Sequence, residues 1–148
     1  MTWLNGATTR TQVLAMLPHL QPGFDALYAA LWRLPQLPPA VLELCRLRLA
    51  QLHDSHTEWQ RSEFPLDPEK RDQLSNWNTS PLFSAAEQAC LDLAEVYAMD
   101  PQAITDEQTD AVKSHFGDAG LVALVEALGL FYGLTRLSQL WQLEPASN

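Results

Sequence analysis

The chain has 148 residues, 47% of them hydrophobic and 18% charged, with a net charge of −9. That length and composition suit one folded domain spanning 1–148 with a core of its own, and they exclude a disordered polymer. The acidic balance, with nine scattered Lys and Arg, argues against nucleic acid or an anionic membrane as partner, because both need a basic patch.

Residues 1–10 carry no positive stretch followed by an apolar run, so no signal peptide is expected. The richest apolar stretch, residues 120–141, is interrupted by Glu126 and Arg136, so no transmembrane span is expected either. Cys45 and Cys90 lie far apart in helix-like patterns. Both are expected to be reduced, as in a cytoplasmic protein, and to be buried as small hydrophobes.

In chain order, residues 8–17 predict a short first helix, stopped by Pro18. Phe24, Leu27, Tyr28, Leu31 and Trp32 recur at i, i+3, i+4, i+7 and i+8, the stripe of an amphipathic helix. Pro35, Pro38 and Pro39 end it and open a third helix near Ala40. Its apolar face carries Val41, Leu42, Cys45, Leu49 and Leu52; Arg46 and Arg48 fall elsewhere and are expected to meet solvent or a carboxylate.

After a break at His53-Asp54, Ser55 and Glu58 read as a capping box at a helix start. Asp67-Pro68 opens a short helix ending near Trp77. Ser84 with Glu87, and Thr105 with Gln108, mark two further helix starts, and Asp118 is a plausible N-cap for a last long helix to about Gln142. That helix is apolar almost all round, as expected of a central helix or a subunit contact. Gly129 and Gly133 give it a strip that another helix could approach closely.

The run from Glu43 to Glu58 reads Glu-Leu-Cys-Arg-Leu-Arg-Leu-Ala-Gln-Leu-His-Asp-Ser-His-Thr-Glu. It resembles the signature of the carboxymuconolactone decarboxylase and alkylhydroperoxidase D-like family. There Glu-Leu-x-x-Leu-x-x-Ala-x-x-Asn-Gly leads into Cys-x-x-Cys-x-x-x-His. Further blocks resemble the family in the same order: Asn76-Trp77, residues 81–91, residues 104–107, residues 115–119 and residues 128–137.

The resemblance implies an all-α bundle of about seven to eight helices that assembles with itself as dimer-based homo-oligomers. By position, Glu43 matches the family's proton-relaying glutamate. Ser55 and Glu58 stand at the two cysteine positions, and Ser62 stands at the histidine position. A serine hydroxyl cannot cycle between thiol and disulfide, and a carboxylate cannot form a mixed disulfide.

The expected function is therefore a non-redox member of that family, its former peroxidase site vestigial or repurposed for a small molecule. One alternative is a peroxidase or decarboxylase-like enzyme acting through other groups, such as Cys90, or Glu43, His56 and Glu58 as acid and base. Another is an oligomeric interaction module led by the C-terminal helix. No cofactor is expected. His53 and His56 with one glutamate form only a weak metal motif, short of an assured third and fourth ligand.

Overall fold

Proline and side-chain caps set the helix boundaries of this chain, for which a computed structural model describes residues 3, 4 and 6–144. Seven α-helices form among the described residues, and no strand does. Helix α1 (Arg10–Leu14) starts at Thr9, whose hydroxyl accepts from the Gln12 amide at 3.3 Å while the Gln12 side chain accepts from the Thr9 N–H at 3.1 Å. It is shorter than residues 8–17. Helix α2 (Gln21–Leu31) follows. Of its expected stripe Leu31 is buried, but Leu27 is 58% exposed.

Helix α3 (Pro39–Leu52) begins on proline, which has no N–H to leave unsatisfied in a first turn. Its end at His53-Asp54 is a Schellman turn: Ser55 N–H donates to the Ala50 carbonyl at 2.8 Å and Asp54 N–H to the Gln51 carbonyl at 3.2 Å. Asp54 takes φ 52°, a left-handed value that Asp tolerates better than most residues. The next segments are α4 (His56–Gln60) and α5 (Pro68–Asp72).

Helix α6 (Ala85–Met99) has the full capping box at Ser84 and Glu87, and α7 (Asp106–Leu140) has one at Thr105 and Gln108. At Gly117 (φ 71°, ψ −178°) α7 is kinked, one residue before the expected cap at Asp118. The chain thus breaks where expected, but by a glycine in a region closed to most side chains.

Helices α3, α6 and α7 pack against one another and enclose the core. Leu42, Leu44, Cys45 and Leu49 of α3 meet Cys90, Leu91 and Leu93 of α6 and Leu124, Leu128 and Phe131 of α7. Each large apolar side chain removed from water contributes about 1.5–3 kcal/mol. Residues 41–47 of α3 are all buried, including Glu43 and Arg46. The helix therefore runs through the interior with no solvent face along that stretch.

One expectation needs correction. By length and composition α7 is apolar enough to cross a bilayer, with a mean hydropathy of 1.5 in its most apolar stretch, 44% of which is buried inside the protein. Glu126 and Arg136 do not interrupt it enough; part of its apolar surface packs on α3 and α6, while Val122, Val125, Leu137 and Leu140 are exposed. The glycine strip is also only half used. A side chain at Gly129 would touch the Tyr97 hydroxyl at 3.6 Å, whereas at Gly133 it would meet open space.

Candidate functional site

Arg46 is 2% exposed and lies at the centre of a buried network of charges. It sits three residues after Glu43 on α3, so both side chains leave the same side of the helix. Its Nε donates to Glu43 Oε1 at 2.5 Å. Its Nη1 donates to the Glu58 carbonyl at 2.8 Å and faces Glu58 Oε2 at 3.4 Å, and its Nη2 donates to the Arg61 carbonyl at 2.7 Å. One guanidinium fork thereby ties α3 to the middle and the C-cap of α4.

The two buried carboxylates are equally committed. Glu43 Oε2 accepts the backbone N–H groups of Glu63 at 2.6 Å and Phe64 at 2.7 Å. Glu58 Oε1 accepts from the Ser138 hydroxyl of α7 at 2.6 Å. Arg61 pairs with Glu63 at 2.6 Å and lies 3.7 Å from Glu58. Arg10 of α1 stands 4.0 Å from Glu58 and 3.8 Å from Glu63. Three arginines thus meet three glutamates, drawn from α1, α3, α4 and the segment after it.

Burial alone would raise the Glu63 pKa. The hydrogen bond and charge of Arg61, with the charges of Arg46 and Arg10, outweigh it and hold the carboxyl below its ordinary value.

The expected site residues fall into three groups. Glu43, Ser55 and Glu58 are buried and belong to this network or to the cap beside it. Ser55 Oγ accepts from Glu58 N–H at 3.4 Å, which is half of the expected capping box. The returning half is missing because the Glu58 carboxylate is drawn to Arg46, Arg61 and Ser138 instead. Ser62 is exposed and lines a cavity of about 410 Å³ with Glu43, Arg61 and Arg71.

The histidines stand apart. His56 is exposed, its Nε2 2.6 Å from Gln60 Nε2. His53 packs its ring edge-to-face on Tyr132 at 5.1 Å, and burial, with the charge of Arg136, pushes its pKa down. Among the described residues no group of three or more metal-ligating side chains stands together.

On the far side of Glu58 a second, polar cavity of about 210 Å³ is lined by Arg10, Thr57, Arg61, Ser138 and Glu144 among others. The C-terminal segment closes over it. Thr57 Oγ1 donates to the Leu143 carbonyl at 2.6 Å, and Glu144 N–H donates to the Thr8 carbonyl at 2.8 Å.

Both cysteines are free and fully buried. Burial pushes the Cys90 thiol up to about 12 and the Cys45 thiol well above its ordinary value. The thiolate is the reactive form, so both are held in the unreactive one at neutral pH.

Sequence reasoning did not find Arg46, Arg10, Arg61, Glu63 or Ser138 as members of one network. A local signal existed for Arg46, at i+3 from Glu43, and for Arg61, at i+3 from Glu58. Arg10, Glu63 and Ser138 are brought to them by the tertiary fold.

No family model and no curated relative matches the sequence. Solved structures share the fold. A protein of unknown function from Agrobacterium tumefaciens, named as a candidate antioxidant-defence protein AhpD, aligns with a TM-score of 0.80 at 17% identity over 100% of both chains. An uncharacterized peroxidase-related protein from a Silicibacter species aligns with a TM-score of 0.79 at 17% identity, over 92% of this chain and 75% of that one. At that identity the likeness is one of fold. The all-helical, alkylhydroperoxidase D-like fold expected from the run between Glu43 and Glu58 is the fold this chain has.

Proposed function

We propose that this protein is a non-redox variant on the alkylhydroperoxidase D-like fold, in which the former thiol site serves as a structural charge hub beside a small-molecule pocket. One observation carries the reading. Glu58, at a cysteine position, is 3% exposed and bonded to Arg46 and Ser138, so it holds three helices together where a thiol would react. The cavity walled by Glu43, Ser62, Arg61 and Arg71 would be the repurposed pocket. Reduced Cys45 and Cys90 fit action in the cytoplasm.

Acid–base chemistry by Glu43, His56 and Glu58 is a weaker reading. Both Glu43 oxygens are occupied, and His56 is bonded to Gln60 at the surface, outside the network.

The test is consumption of an organic hydroperoxide with a dithiol donor. We expect no turnover above the protein-free rate. Turnover that disappears in Cys45→Ala or Cys90→Ala would sink the reading.

A second reading, self-association, is favoured by a separate observation. Met16, Leu17, Leu20 and Leu27 near α1 and α2, and Val122, Leu137 and Leu140 on α7, are exposed apolar side chains. Native mass spectrometry at micromolar concentration would show a dimer or higher assembly; a monomer would reject it.

A further inference from the structure

Beyond its kink, helix α7 leaves one face to solvent. Val122, Val125, Leu137 and Leu140 are 39–61% exposed on that face, and Glu126, Gly129 and Arg136 are exposed between them. The opposite face, with Leu124, Leu128 and Phe131, lies in the core.

The exposed face has a regular spacing. Val122, Glu126, Gly129, Gly133, Arg136 and Leu140 follow one another at alternating steps of four and three. That is the a/d seam of a coiled coil, the spacing at which one helix packs along another. Among the described residues no helix covers it. A side chain at Gly133 would meet open space, and an open groove of about 610 Å³ runs past Gly133, Arg136, Leu137 and Leu140.

The two charges of the seam are unmatched within the chain. Arg136 donates to neutral groups, Gln139 Oε1 at 3.4 Å and the Tyr132 hydroxyl at 3.3 Å. Among the described residues neither Arg136 nor Glu126 joins an ion pair.

The occupant that fits is a second copy, because the seam is complementary to itself when reversed. In parallel, two copies would set Glu126 against Glu126 and Arg136 against Arg136, and like charges across an interface cost affinity. Antiparallel, about a two-fold axis at the level of Phe131, Glu126 meets Arg136 of the second copy at both ends. The same register sets Val122 against Leu140 of the second copy. It also sets Gly129 against Gly133 of the second copy, and glycine lets two backbones approach closely. Such a contact closes on itself as a dimer. Apolar surface continues beside it, since Leu137 borders a cavity together with Met16, Leu17 and Leu20.

We infer that two copies pair through α7, antiparallel, in the register that sets Glu126 on Arg136. The inference rests on the self-association favoured above and gives it a surface, an orientation and a register.

Sedimentation of the full chain at micromolar concentration, with charge reversals, tests it. The parent is expected to be a dimer. Glu126→Arg and Arg136→Glu each set like charges opposite one another and are expected to weaken the dimer at least about tenfold. The double variant Glu126→Arg/Arg136→Glu is expected to return to within about threefold of the parent, since opposite charges face again. Gly133→Leu adds a side chain where the single chain has room. It is expected to weaken the dimer at least about tenfold, with the helical circular dichroism retained.

Orientation is read by cysteine pairing under oxidised glutathione, with Cys45 and Cys90 fully buried and out of reach. Val122→Cys/Leu140→Cys is expected to link two chains. Val122→Cys alone is not, because its two thiols would stand about 27 Å apart along the antiparallel pair.

A monomeric parent would overturn the inference and self-association with it, and a monomer that floats with phosphatidylcholine vesicles would assign the face to a bilayer instead. A dimer indifferent to both charge reversals, or linked by Val122→Cys alone, would overturn this pairing and leave self-association standing.

Discussion

Two sides of α3 are equally dry and are held by opposite physics. Leu42, Cys45 and Leu49 are 0% exposed and pack in the apolar core with α6 and α7. Glu43 and Arg46, on the same helix, are 1% and 2% exposed and lie in a network of charges. The apolar side tolerates loss of an atom in proportion to the cavity it leaves. The charged side does not degrade so gradually, because removing one partner strands another buried charge. Full burial therefore predicts two different responses to mutation.

The largest effect is expected at Arg46. Arg46→Met leaves the Glu43 and Glu58 carboxylates short of their buried cation, and urea unfolding should show a loss of about 3–5 kcal/mol. On the apolar side, Leu124→Ala in α7 should cost about 3 kcal/mol by the same measurement. If the two losses differ in pH dependence, the comparison sharpens; if both are flat with pH, it breaks. Ser138→Ala removes the hydroxyl that donates to Glu58 and should cost about 2 kcal/mol, as for a hydrogen bond to a charged group. Ser55→Ala removes only the α4 cap and should cost about 1 kcal/mol.

The subtlest difference is in acid. Glu63 has a folded pKa below its ordinary value of 4.5. The unfolded chain therefore holds that proton more tightly than the folded one. Its stabilising contribution is present above the unfolded pKa and is lost as pH falls through the folded value. Urea midpoints measured downward from pH 5 should fall less steeply in Glu63→Gln than in the parent. Leu124→Ala should keep the parent's slope.

Local chemistry was legible in the sequence wherever cause and effect lie within one turn. The Ser84 and Thr105 capping boxes form as read. So do the proline starts of α3 and α5. The break near Asp118 was read at nearly the right place, though its agent is Gly117.

The Ser55 and Glu58 pair shows where such reading ends. A reciprocal box is the best local use of that glutamate, and the tertiary fold offers Glu58 a better one in Arg46 and Ser138. Arg46 itself read as a residue off the apolar face, and solvent or a carboxylate was its expected partner. Periodicity separates apolar from polar faces, but it cannot show that both faces are covered. Placing residues 10, 46, 61 and 138 around one carboxylate is a property of the packed chain, not of any window of sequence.

The most direct test compares urea unfolding of Arg46→Met with that of Arg46→Met/Glu43→Gln/Glu58→Gln. If the charges form a structural hub, the single variant loses about 3–5 kcal/mol, and the triple variant, with no stranded charge and most acceptors kept, recovers at least half of it. An Arg46→Met chain within about 1 kcal/mol of the parent, the median worth of an exposed ion pair, would contradict the account.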